Sequence, residues 1–185
     1  GSHPEVLAEL GQLMQVLADR VDHLQQALST HPHVPLRVHA RYTRREVLAA
    51  FASHTRLTLP AWAGGVHWDQ TERVDLLAIT LDKSVGHFSP TTRYRDYAIS
   101  PTLLHWESQS TTREGGEVGR RYRNHASQGS TILPMARLTV DDRAFWLLGP
   151  ATYVSHEGER PMAITWKLQH ELPGDLYARF GAAVG

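Results

Sequence analysis

Between Ile79 and Thr112 the chain interleaves Lys83, Arg93 and Arg95 with the rings of His87, Phe88, Tyr94, Tyr97, His105 and Trp106. Hydroxyls from Ser84, Ser89, Thr91, Thr92, Ser108, Ser110, Thr111 and Thr112 fill the gaps. A core strand has no need of so many donors, and a disordered linker does not carry so many aromatics. Cations that hold phosphates, set beside rings that stack bases, make a surface for something flat and anionic, with nucleic acid the obvious candidate. In an extended chain Arg93 and Arg95 share one face, with Tyr94 and Asp96 on the other. Paired guanidiniums suit phosphates, and Tyr94 suits a base. The competing reading pairs these arginines internally, for instance with Asp96 or Glu107, and puts the tyrosine in the core. Ser89-Pro90-Thr91-Thr92 reads as a turn that leaves hydroxyls and amides free. In His105-Trp106-Glu107 alternation places His105 and Glu107 opposite Trp106, which reads as core. Gln109 and Ser110 lie in a run with no apolar member, so their side chains seek polar partners or water. Downstream, Arg120–His125 (RRYRNH) is the most basic hexamer. It is either a solvated loop or a second phosphate-contacting segment, in which Arg121, Tyr122, Arg123, Asn124 and His125 join the first patch.

Other chemistries find little support. There is no GxxxxGK[ST] or GxGxxG phosphate loop, no GxSxG elbow and no HExxH helix. The 12 histidines invite a metal hypothesis, but none of their spacings fixes a site. Asp82-Lys83 are adjacent, so on a strand they point to opposite faces, against a carboxylate–lysine nuclease cluster that would add His105 and Glu107. His156-Glu157 reads as a strand end before a turn rather than as an acid–base pair. No catalytic residue, metal ligand or cofactor is assigned, and the chain alone is not expected to be an enzyme.

These residues must be positioned by a scaffold of 185 residues, 41 % of them hydrophobic, which suits one packed domain with an appendage. Formal net charge is zero, so any anionic partner must be recognised by a local patch. No cysteine is present, which excludes disulfides and thiol chemistry and fits a reducing, cytoplasmic setting. Gly1-Ser2-His3 reads as the scar of a cleaved tag, so the segment is expected to come from a longer protein. Leu7, Leu10, Met14, Leu17, Val21, Leu24 and Leu28 step by three and four, which predicts a heptad helix over residues 4–30. That helix packs on its own domain, or pairs with a second copy or another domain. Thr43-Arg44-Arg45-Glu46 is a capping box that opens a second helix. Strands are expected at 66–68, 75–81, 97–99, 103–109, 131–140, 144–148, 152–156 and 163–168, with a mobile Gly-rich loop at 113–119 and a short last helix capped by Asp175. This order predicts an α+β fold, N-terminal helices followed by a strongly bent antiparallel sheet or a partly open β-barrel.

The run Leu81–Thr112 (LDKSVGHFSPTTRYRDYAISPTLLHWESQSTT), with Gly119–His125 (GRRYRNH) and Trp146–Leu168 (WLLGPATYVSHEGERPMAITWKL), closely resembles the domain-of-unknown-function family DUF3427. His39–Phe51 resembles it too, so the resemblance spans roughly residues 36–180, and a domain over 36–185 is expected. Members typically lie at the C-terminus of bacterial superfamily 2 helicases, often with a phospholipase-D-like nuclease domain upstream, in what look like restriction or phage-defence proteins. The resemblance supplies context and no catalytic residues. It implies a DNA-binding accessory domain of a helicase–nuclease, with DNA (duplex or single-stranded) and the parent's helicase and nuclease domains as partners. A reader of modified DNA is the sharper form of that expectation. The alternative is a structural or protein-interaction module, in which Leu7–Leu28 docks the domain onto its helicase or into a homodimer.

Overall fold

The computed structural model describes residues 3–18, 22–52, 58–82 and 96–184. Within them the elements run α1 (Pro4–Ala18), β1 (Gln26–Ala27), β2 (Arg37–Val38), β3 (Arg41–Thr43), α2 (Arg44–Phe51), β4 (Val66–Asp69), β5 (Val74–Thr80), β6 (Tyr97–Ser100), β7 (Leu103–Glu107), α3 (Glu117–Asn124), β8 (Thr131–Arg137), β9 (Ala144–Leu147), β10 (Ala151–Glu157), β11 (Ala163–Leu168) and α4 (Gly174–Val184). This is an α+β fold: four helices and a strongly curled sheet that forms a half-barrel. The sheet has nine strands along the path β3-β9-β8-β10-β11-β7-β6, with β5 attached to β8 and β4 to β5. Neighbours are antiparallel except β5 and β8, which run parallel from Val74↔Thr131 to Thr80↔Arg137.

The centre of the sheet is apolar on both faces. Leu77, Ile79, Ile132, Ala136, Trp146 and Leu148 face one core, completed by Tyr122 of α3 and by Leu176 and Phe180 of α4. Leu76, Leu133, Met135, Phe145 and Leu147 face a second, closed by Val47, Leu48 and Phe51 of α2 and by Leu28, Val34 and Val38 of the N-terminal segment. Each large apolar side chain so buried contributes roughly 1.5–3 kcal/mol. Covered on both sides, β5 and β8 read as nearly unbroken apolar runs. Pro134 is tolerated inside β8 because the strand changes antiparallel partner there, from β10 at Ile132 to β9 at Met135, so no amide is missed. Gly149 makes the neighbouring turn at φ +82°, and a Cβ there would lie 2.9 Å from His170 Cδ2 and 3.0 Å from Val38 Cγ1.

Among the described residues, the remaining arm, β6-β7-β11-β10, is covered on one face only. Leu104, Trp106, Ile164 and Trp166 point into the first core, while Tyr97, Ile99 and Lys167 alternate outward.

The N-terminal region departs from the heptad expectation. The helix ends at Ala18, Leu24 is exposed, Val21 lies outside the described residues, and Leu28 follows β1 into the second core. The segment is tied to α4 by His23 Nδ1, which donates to Asp175 (3.0 Å), and by Arg179, which pairs with Asp22 (3.0 Å). Of the apolar series beyond α1, Leu28 is thus buried through tertiary packing. The Thr43 box forms as the sequence predicts, its hydroxyl accepting from Glu46 N (3.2 Å) and Glu46 Oε2 accepting from Thr43 N (2.7 Å). The Gly-rich segment is only partly a loop, since α3 starts inside it at Glu117. No helix among the described residues is long and apolar enough to cross a membrane.

Candidate nucleic-acid interface

The β6-β7 hairpin is fixed at both ends. Asp96, buried, accepts from Glu107 N through Oδ1 (2.9 Å), which clamps the entry of β6 to the exit of β7. Ser100 Oγ accepts from Leu103 N (3.1 Å) across the Pro101-Thr102 turn. In the register this sets, Tyr97 lies opposite His105 on the outward face. Their rings stack with centroids 4.7 Å apart and an interplanar angle of 28°. On the other side of β7, Thr165 lies opposite His105 and Lys167 opposite Leu103, and Ser155 of β10 lies opposite Thr165. The outward face of the arm therefore carries a stacked aromatic pair, Tyr97 exposed and His105 half-buried, with hydroxyls and a lysine beside it. A planar ligand could extend that stack, and Lys167 could hold an anion next to it.

The basic hexamer has a different fate. Arg121 donates through Nε and Nη2 to Asp75 (2.8 and 2.9 Å), and its guanidinium lies 4.3 Å from the centroid of the Trp68 ring. Asp75 is fully buried. Burial holds its carboxyl above the usual range, although Arg121 pulls the other way. Tyr122 is fully buried between Trp106 and Trp166, with centroids 5.6 and 6.2 Å away, and burial together with Asp75 pushes its phenol up. His125 is buried: Nδ1 donates to Ser130 O (3.1 Å) and Nε2 accepts from Tyr153 N (3.1 Å). One nitrogen must donate and the other accept, so the ring is neutral. Burial lowers its pKa in the same sense, against the Ser130 carbonyl and Asp75. Arg123 pairs with Glu114 (2.5 Å), and Asn124 is exposed.

Of the residues singled out from sequence, Lys83, Ser89, Thr91, Thr92, Arg93, Tyr94 and Arg95 lie outside the described residues. His105 stands on the outward face of the arm. Gln109 and Ser110 are exposed in the loop after β7. Arg121, Tyr122 and His125 are held inside the fold: Arg121 is paired with a buried acid, Tyr122 is a core ring whose buried hydroxyl has no partner among the described residues, and both His125 nitrogens are bonded. Since Tyr122 packs on Trp106 and His105 points away from Trp106, α3 and the Tyr97–His105 stack occupy opposite sides of the sheet. The structure does not bring His105 and the hexamer onto one surface. Gln109 does come beside α3: with Thr111, Arg113 and Glu117 it lines a cleft of about 210 Å³ at the start of that helix. Thr165 and Lys167 are additions to the sequence reading. The signal for them was the alternation of Ile164, Trp166 and Leu168 with Ala163, Thr165 and Lys167 along β11.

Fold and surface together define an α+β half-barrel domain with one open, aromatic-bearing sheet arm. The chain belongs to the DUF3427 family, a domain of unknown function, whose model matches residues 36–180. No curated protein matches it.

Proposed function

We propose that this domain binds nucleic acid, DNA in the first instance, through the outward face of β6-β7-β11. The observation that supports this reading is the outward-facing Tyr97–His105 stack, with Tyr97 exposed, His105 half-buried, and Lys167 and Thr165 at its side. In the sequence Arg93, Tyr94 and Arg95 immediately precede Asp96 and β6. Aromatic platforms of this kind take bases from single strands without reading sequence. The family resemblance extends the proposal to an accessory domain of a cytoplasmic helicase–nuclease in restriction or phage defence, supplying grip and no catalysis. Inspection of a modified base on the stack is its most specific form. Fluorescence anisotropy with labelled single-stranded and duplex DNA tests it. Tyr97→Ala and His105→Ala each weaken single-strand binding by about 5- to 150-fold, the value of ~1–3 kcal/mol per stacked base. No binding to either form at low salt would sink the proposal.

A second reading, protein docking, is favoured by α1. Val6, Leu7, Leu10, Leu13, Met14 and Val16 are all between 48 and 71 % exposed. A helix this apolar buries itself against a helicase domain or a second copy of the chain. Removing residues 4–18 separates the readings: docking predicts lost assembly with DNA affinity unchanged.

A further inference from the structure

On the sheet face opposite α3, α2 and residues 58–62 enclose a pocket of about 530 Å³. Its wall is apolar, formed by Leu48, Leu59, Pro60 and Trp62, and its polar side is Arg44, Arg45 and Thr58. Arg41, Arg121, Arg123 and Arg179 each meet a carboxylate. Arg44 and Arg45 meet none among the described residues. Arg44 is half-buried, its guanidinium 5.5 Å from the ring centroids of both Trp62 and Phe145. Its Nη1 reaches Trp62 O only at 3.5 Å, and its Nε is buried with no acceptor, as is Trp62 Nε1. Across Phe145 stands another cation, Arg137, 4.7 Å from that ring and already bound to Thr80 Oγ1 (2.9 Å). Burial, and then Arg137, lower the Arg44 pKa.

A half-buried guanidinium with a like charge near it and no acid is costly to keep unless something anionic completes it. The adjacent arginines offer two positive charges and Thr58 a hydroxyl, which suits a phosphate dianion better than a carboxylate. The volume far exceeds a bare phosphate and lies in the range of small-ligand sites, roughly 300–1,000 Å³. The apolar wall is left for an organic group. We propose that this pocket binds an organic phosphate monoester, with Arg44, Arg45 and Thr58 on the phosphate and Leu59, Pro60 and Trp62 against the organic part. The source is a free mononucleotide or the phosphorylated 5′ end of a strand. This site lies on a different face from the Tyr97–His105 stack and stands or falls without it.

Isothermal titration of the whole chain at low ionic strength tests the proposal, using AMP, adenosine, inorganic phosphate, and one oligonucleotide with a 5′-phosphate or a 5′-hydroxyl. AMP binding more tightly than both adenosine and phosphate supports the site with a free nucleotide as source. Binding of the oligonucleotide that requires its 5′-phosphate supports it with a strand end as source. Arg45→Ser, at an exposed position, and Arg44→Lys, which keeps the charge and loses the fork, then each weaken binding about tenfold or more. Thermal melting verifies that both variants fold. Absence of binding by AMP and of any 5′-phosphate dependence overturns the proposal, as does affinity unchanged in both variants, or inorganic phosphate binding as tightly as AMP.

Discussion

Replacing Arg121 with methionine keeps an apolar stem over Trp68 and removes the charge. Asp75 is then left with no exposed side-chain surface and no counter-ion; at present it faces a guanidinium that is itself only 14 % exposed. Two unit charges about 4 Å apart attract by ~4 kcal/mol at the effective dielectric typical of such sites. Measured losses on breaking one side of a buried pair run at about 3–5 kcal/mol. Arg121→Met is therefore expected to destabilise the domain by about 3–5 kcal/mol, or roughly 6–20 °C in melting temperature for a chain of this size. Urea unfolding followed by tryptophan fluorescence measures it. Burial already holds the Asp75 carboxyl up against the pull of Arg121, and without that partner it is held higher still. The folded variant then keeps a proton that the unfolded chain has released. Its penalty is full at neutral pH and is relieved as pH falls toward the ordinary carboxylate range. The double variant Asp75→Leu with Arg121→Met removes both charges and regains most of the loss. Arg120→Met, at an exposed helix position, changes stability by no more than ~0.5 kcal/mol. A loss below about 1 kcal/mol for Arg121→Met, or a loss that grows toward acid pH, refutes the assignment of Arg121 as a structural strut.

His39 and Gly119 give two further tests. His39 is buried at φ +68° with both ring nitrogens unpartnered among the described residues, and burial, with His23 and His170 adding to it, pushes its pKa down to about 4. The unfolded chain takes up that proton first, so stability falls as pH drops from 6.5 to about 4, by roughly 3 kcal/mol at ~1.36 kcal/mol per unit. His39→Asn, tolerant of positive φ, should flatten the acid side of the urea-midpoint profile, and an unchanged slope counts against the assignment. At Gly119 a Cβ would lie 2.1 Å from Arg113 O and 2.9 Å from Glu114 O, both backbone atoms. Helix propensity alone predicts that Gly119→Ala gains up to ~1 kcal/mol, whereas the clash predicts a loss of about 2 kcal/mol or more, so the sign of the change in unfolding free energy decides.

What could be read from the sequence was what adjacent residues decide among themselves. The Thr43–Glu46 box is a contact over three positions. The alternation in Leu103–Glu107 puts Trp106 inside and His105 outside without reference to any other strand. Eight strands were legible on those grounds. What was not legible depends on distant partners. The parallel pairing of β5 with β8 is made across a connection that contains β6, β7 and α3. The apolar series that starts in α1 continues to Leu28 in phase, but Leu28 is buried by Val34, Val38 and Phe51 rather than by a helical seam. Gly119 looks like a loop residue, yet it lies inside α3, where glycine fits because Arg113 O passes too close for a side chain.

The arginines make the same point for function. RRYRNH presents one dense patch on paper, but a helix sends consecutive residues in directions about 100° apart. Arg121 goes to a buried acid, Tyr122 to the core, Arg123 to Glu114, and His125 to a carbonyl and an amide. Charge density in sequence therefore overstates the charge offered to a ligand. Arg44 and Arg45 show the converse. They sit in a helix-capping motif that local reading explains completely, with a glutamate next in sequence. That glutamate is occupied by the Thr43 backbone and hydroxyl, which leaves both guanidiniums without an acid partner among the described residues, at the edge of an apolar pocket. A cation's role follows from where its nearest acids are already spent, and that is settled by tertiary structure alone.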